Sequence, residues 1–324
     1  MIKKAAWLWM KRTAAVTALA TLGFPLGAQE LAPLRIIVSL PAGGGVDTMA
    51  RLVAYRLAEK TGRNVVVENK PGASGTIAAK AVISASPTYL TILASGNQEI
   101  TIAPGLIKDP AYQPSKDLHP LVQVGTVASV LFAKAGARWA DPQVFTQSLR
   151  QPLQVGVGIP GVGTPMHLSL VAVAKENKGD FLPVPYKGAP DVIRGVLAAD
   201  TPYGTAGLPA ILPFIKNGQA VGVAVLGAHT SAQLPGVEPI SKYIQTSKEI
   251  PQISYGFFAP ASLPESVRQQ LEAELKAVLQ EPEVKAKFVA LGIEGDVLGG
   301  AAYAQDLARQ TVYYAKALDD IQNK

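Results

Sequence analysis

The chain has 324 residues, of which 48% are hydrophobic and 17% charged, and this composition excludes an intrinsically disordered or coiled-coil protein. The chain contains no cysteine, which excludes disulfides, thiolate metal sites, a thiol nucleophile and a lipid-anchor cysteine. The formal net charge of +6 would by itself suggest an acidic partner.

Residues 1–28 are predicted to be a signal peptide. The segment begins with a basic region made of Lys3, Lys4, Lys11 and Arg12. The apolar run from Thr13 to Phe24 is short for a membrane span, and we place cleavage after Ala28. An uncleaved membrane anchor is the alternative. Cleavage removes four of the 30 basic residues and no acid, so the net charge falls to +2. We therefore expect a periplasmic protein and no nucleic-acid partner.

The first part of the remaining chain alternates between short β-rich runs and helical patterns. The predicted strands are residues 34–40, 64–68 and 90–94. One predicted helix carries apolar residues at helical spacing from Met49 to Leu57 and ends at Gly62, and a second covers residues 76–84. Such alternation is typical of a mostly parallel sheet with helices on both faces.

This alternation restarts near residue 121, so we expect a second lobe of the same kind. The predicted strands are 121–127, 130–133, 153–157, one that ends at Tyr186, 221–226 and 255–259. The predicted helices are 143–150, 165–177 and 190–198. Residues 264–280, 283–291 and 302–318 form three amphipathic patterns without a strand between them, and we expect these helices to pack on the first lobe.

Two glycine-rich loops each follow a predicted strand and open a predicted helix. The loops contain Gly43, Gly44 and Gly45 in one case and Gly161, Gly163 and Thr164 in the other. Glycine lets bare N–H groups approach a ligand, and the first turn of a helix offers unpaired N–H donors with a partial positive charge. Two such loops predict an anion site between the lobes, and two tight turns without a ligand are the alternative.

Other motifs give little support to nucleotide binding or catalysis. Residues 156–161 match G-x-G-x-x-G, but the next predicted strand does not end in the acid that would bind a ribose, and no Gly-Lys-Ser/Thr follows either loop. The three histidines, His119, His167 and His229, are far apart, and neither H-E-x-x-H nor G-x-S-x-G occurs. A triad assembled only in space remains open.

Three polar residues near the loops have alternative interpretations. His167, in the first turn after the second loop, is interpreted as a cap, a core contact or a ligand donor. Asp47 is expected to cap the first helix, because its carboxylate would otherwise repel a bound anion. Lys187 could neutralise a carboxylate, although an exposed lysine is usually solvated.

Several segments together carry a family resemblance. LRIIVSLPAGGGVD at residues 34–47, followed by NVVVENKPGASG, GVGTPMHL, VPYKGAP and FFAPASLP, resembles the periplasmic solute-binding receptors of tripartite tricarboxylate transporters, the Bug family. The resemblance covers essentially the whole chain after the signal peptide. It implies a two-lobed periplasmic-binding-protein (Venus-flytrap) α/β fold, with lobe 1 formed by residues 29–128 and 230–324 and lobe 2 by residues 129–229.

The resemblance also implies a set of ligand-binding residues. From the first lobe these are Ala42, Gly43, Gly44, Ala73, Ser74, Gly75, Ser95 and Asn97. From the second lobe they are Val162, Gly163, Thr164, His167 and Tyr186. The family pattern assigns one ligand carboxylate to backbone N–H groups and bridging waters of the first lobe.

The chain departs from the family pattern in two places. Before the third strand it has Pro87-Thr-Tyr89-Leu-Thr91, where the family usually has Pro-Asp-Gly-Tyr-Thr. Where the family commonly has Gly-Gly-x-x-Asp, the chain has Ala198-Ala-Asp-Thr-Pro202, which puts Pro202 at the usual Asp position. We therefore expect different contacts from this segment to the far end of the ligand.

These observations favour a monomeric, non-enzymatic receptor that captures a small carboxylate and needs no cofactor or metal. The resemblance implies membrane permease subunits or a sensor protein as partners. A periplasmic hydrolase or isomerase acting on a small organic acid, and a module that binds only protein partners, are the alternatives.

Overall fold

The computed structural model describes residues 32–86, 89–107, 112–151, 154–227, 230–246 and 250–322, with side chains as far as residue 319. The predicted signal peptide lies outside these residues. A seven-stranded sheet forms the first lobe, in the order β11-β4-β10-β3-β1-β2 with β12 paired to β4. Its strands are β1 (Leu34–Val38), β2 (Val65–Asn69), β3 (Leu90–Ser95), β4 (Leu118–Val127), β10 (Ile253–Pro260), β11 (Ile293–Glu294) and β12 (Leu298–Gly299).

A five-stranded sheet forms the second lobe, in the order β7-β6-β8-β5-β9. Its strands are β5 (Ser129–Lys134), β6 (Val155–Ile159), β7 (Phe181–Pro185), β8 (Tyr203–Gly207) and β9 (Ala220–Val225). The chain passes from the first sheet to the second through Ala128 alone and returns through residues 226–252. The predicted lobe boundaries at residues 128 and 229 stay predictions, and residues 228 and 229 lie outside the described part of the chain.

Helices cover both faces of each sheet. They are α1 (Gly45–Thr61), α2 (Thr76–Ile83), α3 (Gln98–Thr101), α4 (Ala103–Leu106), α5 (Pro114–Asp117), α6 (Pro142–Ser148), α7 (Pro165–Glu176), α8 (Ala189–Ala198), α9 (Leu208–Lys216), α10 (Glu265–Leu279), α11 (Pro282–Leu291) and α12 (Gly300–Gln322). Helix α1 ends at Gly62, which takes a left-handed φ of 67° as the sequence predicted. Among these described helices, none combines the length and apolar character needed to cross a membrane.

The α/β class and the flanking helices are confirmed, but the sheets are mixed rather than mostly parallel. Strand β1 pairs in parallel with β2 and β3, whereas β10 runs antiparallel to β3 and β4. In the second sheet β6 pairs in parallel with β7 and β8, whereas β5 runs antiparallel to β8 and β9. The reason is that β5 and β10 enter their sheets from the other lobe, at the end where the parallel strands finish.

Two regions differ from the predicted elements. Strand β8 and helix α9 were not predicted, because YGTAG lacks a β-branched run and LPAILPFIK contains two prolines, one of them inside the helix. The expectation that no strand separates the last three helices is wrong, since β11 and β12 lie between α11 and α12 and pair with β4. Strands of two residues are too short to show a sequence period.

The predicted packing of the last helices on the first lobe is seen, and α12 also reaches the second lobe. Leu271 and Leu275 of α10 are buried in the core beside β4 and β10. Tyr314 and Leu318 of α12 form a buried cluster with Leu168 of α7. The two lobes are therefore packed against each other along α12 as well as around their strand ends.

Candidate functional site

A cavity of about 50 Å³ lies between the lobes, at the strand ends where they face each other. It is lined by Leu40, Pro41, Gly44, Gly45, Gly96, Gln98, Pro160, Thr164, Pro165, Met166, Gly188, Ala189, Pro190, Gly207, Ala210, Ile253 and Tyr255. None of these lining residues carries a charged side chain. The space suits a few water molecules or one small polar group, and it is well below the volume of a typical ligand pocket.

The amino ends of four helices meet at this cavity. Helix α1 begins at Gly45, α7 at Pro165, α8 at Ala189 and α9 at Leu208, and each has a lining residue in its first turn or at its N-cap. The first N–H groups of a helix have no partner within the helix, and the helix dipole is positive there. Four such ends make the wall electropositive without any lysine or arginine, although Pro165, Pro190 and Pro209 each remove one N–H donor from their helix end.

Glycines let the lobes approach each other closely around the cavity. A Cβ added to Gly45 would lie 2.5 Å from the hydroxyl of Tyr255 and 3.1 Å from Pro209 of the second lobe. A Cβ on Gly188 of the second lobe would lie 2.8 Å from the ring of Pro41. The lobes are thus closed against each other in this structure, with no room for side chains at these two positions.

The first glycine loop contributes to the cavity mainly through Gly44. Of the predicted residues in this loop, Gly44 lines the cavity, whereas Ala42 and Gly43 are exposed. The N–H of Gly43 donates to Oδ2 of Asp47 at 2.9 Å, so this predicted ligand donor already has a partner within the protein. The N–H of Gly44 donates to the carbonyl of Pro41 at 3.3 Å.

Asp47 holds the first loop in place, but it does not cap α1 as the sequence predicted, because the N-cap is Gly44 and no side chain caps this helix. Its carboxylate accepts from Gly43 and Asn69 and pairs with Arg51 at 2.9 Å. Burial raises the pKa of Asp47, but the hydrogen bonds from Arg51, Gly43 and Asn69 outweigh this and the net pKa is lowered. Asp47 is therefore an ionised, fully partnered carboxylate that orients the loop.

The second predicted first-lobe segment forms a 3₁₀ turn, Ala73–Gly75, just before α2. Four consecutive residues have positive φ: 123° at Gly72, 46° at Ala73, 50° at Ser74 and 86° at Gly75. Left-handed backbone at Ala73 and Ser74 is strained and persists only where the surroundings impose it. Ala73 is exposed and Ser74 half-buried, and neither lines the described cavity.

Ser95 and Asn97 lie behind the cavity wall rather than on it. The hydroxyl of Ser95 donates to Oε2 of Glu99, and the amide of Asn97 donates to Gln310 of α12. Both residues are completely buried, while their neighbours Gly96 and Gln98 line the cavity. The segment therefore contributes to the cavity, but the residues that reach it alternate with the predicted ones.

In the second loop, Thr164 lines the cavity and the other predicted residues support it. Val162 is 51% exposed, and Gly163 has a φ of 74° and packs against Leu106 of the first lobe. The N–H of Gly163 donates to Nδ1 of His167 at 3.1 Å. His167 thus fixes the loop through this hydrogen bond, and its ring makes an edge contact with the ring of Phe181.

The buried position of His167 predicts a loss of stability in mild acid. Burial lowers the pKa of His167 to about 4, so the folded protein keeps the ring neutral at pH 5 while the unfolded chain binds a proton below its ordinary value of 6.5. The free energy of unfolding should therefore fall by about 2 kcal/mol between pH 7 and pH 5 because of this group. Urea denaturation of the wild type and of His167→Asn measures this difference. An equal decrease in both proteins would contradict it.

Two predicted second-lobe features do not reach the cavity. The ring of Tyr186 packs against Gly158 and Gly195 inside the second lobe, and Tyr186 does not line the cavity. Pro202 lies just before the first residue of β8, whereas Gly207 is the last residue of that strand. Pro202 lines a separate outer groove with Arg138 and Trp139. This cavity therefore gives no support for the predicted change in contacts at the far end of the ligand. The residue of β8 that lines the cavity is Gly207.

Residues that the sequence did not indicate complete the site. Tyr255 is buried in β10 with its hydroxyl beside Gly45 and Gly207, and burial raises its pKa, so it is a neutral hydrogen-bond donor. Gln98 adds a side-chain amide, and Gly207 begins the unpredicted helix α9. The run of β residues at 255–259 predicted a strand, but nothing in it distinguished Tyr255 from a core tyrosine.

Comparison with known proteins agrees with this architecture. Residues 49–318 match the family model TctC, described as "Tripartite tricarboxylate transporter family receptor". The chain is 27% identical over 266 residues to protein BugT of Bordetella pertussis, which covers 80% of each chain. Among solved structures it is similar to Rpa4515 of R. palustris with adipate, with a TM-score of 0.81 and 21% identity over 90% of this chain and 98% of that one.

A second solved structure is MatC of Rhodopseudomonas palustris with bound malate, with a TM-score of 0.76 and 22% identity over 89% of this chain and 99% of that one. These structures confirm the two-lobed fold. The family model covers most of the chain, and it describes a transporter binding protein rather than an enzyme. The chain therefore belongs to the tripartite tricarboxylate transporter receptors, the TctC or Bug family of periplasmic solute-binding receptors.

Proposed function

We propose that this protein is a periplasmic receptor that captures a small carboxylate between its lobes and presents it to membrane partners of a tripartite transporter. The observation that carries this proposal is the meeting of four helix amino ends around a cavity lined by no charged side chain. Backbone N–H groups, the Tyr255 hydroxyl, Thr164 and the Gln98 amide are suited to an anion with several acceptor oxygens. The relatives Rpa4515 and MatC are described with adipate and malate, both dicarboxylates.

Capture requires the lobes to separate and then close. The cavity of about 50 Å³ is smaller than a four- to six-carbon diacid needs, and Gly45 and Gly188 leave no space between the lobes. A ligand that contacts both lobes would be held in a closed form wider than the one described here, and its tighter binding to that form than to the open form would drive closure. The closed form would then be the one that permease subunits or a sensor protein recognise.

Isothermal titration calorimetry with adipate and malate tests the proposal. We expect saturable binding of at least one dicarboxylate with a Kd of about 1 μM or lower, which corresponds to about 8 kcal/mol of binding free energy. The matched uncharged diamides adipamide and malamide should bind at least about 100-fold more weakly, since they lack the anionic oxygens. Native mass spectrometry of the purified protein extends the search to acids carried through purification.

Two results would contradict the proposal. If no small acid binds at any concentration up to about 1 mM, where binding free energy is only about 4 kcal/mol, the carboxylate receptor is excluded. If a bound acid is chemically converted, as shown by NMR of the ligand after incubation, the hydrolase or isomerase alternative replaces it.

A further inference from the structure

Glu99 is a buried carboxyl group directly beneath the strained turn of the first lobe. It follows Gln98, which lines the cavity, and it is completely buried. Its carboxyl group accepts a hydrogen bond from Ser95 at the end of β3 and lies against Gly75, so closely that a Cβ on Gly75 would overlap it. The group therefore lies at the carboxyl end of the first sheet, where the lobe faces its partner.

Among the residues that the structure describes, no cation forms an ion pair with this carboxyl group, and its Oε1 atom accepts no hydrogen bond from them. Asp47, on the other side of the same strand ends, differs from Glu99 in having partners for its charge. Its carboxylate forms an ion pair with Arg51 and accepts hydrogen bonds from two N–H donors. A charged carboxylate without such partners is costly to bury, so a protein normally keeps the group neutral.

The elements packed on Glu99 do not supply a positive charge either. Its short helix α3 contacts α4, α5, α12 and the 3₁₀ turn. Tyr112 and Tyr303 are the titratable side chains that interact electrostatically with Glu99. The same elements also carry Lys116 and Asp117 on α5, and Asp306 and Arg309, which pair with each other on α12. Tyr112 donates to the backbone carbonyl of Glu99, Asp306 accepts from Gln310, and Lys116 is exposed to solvent.

We propose that Glu99 is a positioning residue that must be neutral for an anion to bind at the first lobe, so that ligand capture is linked to retention of a proton. An ionised Glu99 would place a negative charge one residue from the cavity wall and directly under the turn at Gly75, where it would repel a bound carboxylate through a medium of low dielectric constant. When Glu99 is uncharged, no negative charge from this residue reduces the positive potential of the helix amino ends. Burial also raises the pKa of Glu99, although hydrogen bonding by Ser39, Ser95, its own backbone and Gln98 partly offsets this. This inference rests on the proposed carboxylate receptor.

The test compares the pH dependence of adipate binding in the wild type and in Glu99→Gln, which has the shape of the neutral acid but no titrating proton. As the pH rises through the range in which Glu99 ionises, the affinity of the wild type should fall, by up to about tenfold per pH unit. The Glu99→Gln variant should change by less than about twofold over the same range. The matched control Glu265→Gln, at an exposed position on α10, should follow the wild type.

A second measurement uses the wild type alone and does not depend on the folding of a variant. Calorimetry at a pH where Glu99 is partly ionised, in two buffers with different ionisation enthalpies, should show net proton uptake when adipate binds. Without ligand, the free energy of unfolding of the wild type should decrease relative to that of Glu99→Gln as the pH rises above the ordinary glutamate pKa of 4.5, because the folded wild type keeps a proton that the unfolded chain releases. The comparison between the two proteins cancels the opposite contribution of His167, which both retain.

The outcomes separate the two proposals. If adipate or malate binds but the pH profiles of the wild type and Glu99→Gln are parallel, the role of Glu99 is wrong and the receptor function stands. An affinity that rises with pH in the wild type only would also overturn it, because adipate would then bind better when Glu99 is ionised. If neither protein binds any acid between pH 5 and pH 9, the receptor function itself fails and this inference fails with it.

Discussion

Replacement of Gly45 by valine is expected to weaken dicarboxylate binding by about 10- to 100-fold. The new side chain would start 2.5 Å from the Tyr255 hydroxyl and 3.1 Å from Pro209, so it would both fill the cavity and hold the lobes apart. Overpacking of this kind typically costs about 1–3 kcal/mol, which corresponds to that loss of affinity. Gly45 is the first residue of α1 and does not have a positive φ, so the helix itself tolerates the change. Calorimetry with adipate or malate measures the effect.

A second cavity glycine provides the control for Gly45→Val. A Cβ on Gly96 would lie 3.5 Å from the ring of Tyr255, which is ordinary van der Waals contact. Gly96→Ala should therefore bind with an affinity much closer to that of the wild type. If both variants lose binding equally, crowding of the cavity in general, and not the contact between the lobes, determines the affinity. If Gly45→Val binds normally, the ligand is held elsewhere.

Replacement of Gly75 by alanine is expected to reduce the free energy of unfolding by about 3 kcal/mol or more. Gly75 has a φ of 86°, which costs an alanine about 1–2 kcal/mol, and its Cβ would overlap the buried carboxyl group of Glu99, which adds about 1–3 kcal/mol. Urea denaturation followed by circular dichroism gives this quantity. The double variant Gly75→Ala/Glu99→Ala should recover the part that is due to the overlap.

Gly43→Ala is the matched control for backbone strain. Gly43 has a similar φ of 79°, but a Cβ there would have nothing within 4 Å. Only the cost of the left-handed conformation remains, so the variant should lose about 1–2 kcal/mol. Equal losses in Gly43→Ala and Gly75→Ala would show that Glu99 does not press on the turn, and would weaken the structural basis for its proposed role.

The sequence identified the segments of the site better than the residues within them. The loop at Gly43–Gly45 and the loop at Gly161–Thr164 do precede helices at the cavity. The sequence predicts this because the order of strand, glycine loop and helix is specified by neighbouring residues. Which atoms face the cavity depends on side-chain contacts that the order of residue types does not specify, and some of these contacts are only four residues apart. The amide of Gly43 is occupied by Asp47, that of Gly163 by His167, and the ring of Tyr186 turns into the second lobe.

By itself, the sequence determined the α/β class, most helices and strands, the family and the absence of thiol chemistry. These properties depend on composition, on apolar periods of about two or 3.6 residues, and on motifs read along the chain. The tertiary structure alone decided the antiparallel strands at the crossovers, the helix α9, the place of Tyr255 in the cavity wall and the unpaired carboxyl group of Glu99. Most of these arise where segments distant in the chain come into contact, as β10 does with β4 and Tyr255 with Gly45, so no local pattern in the sequence encodes them.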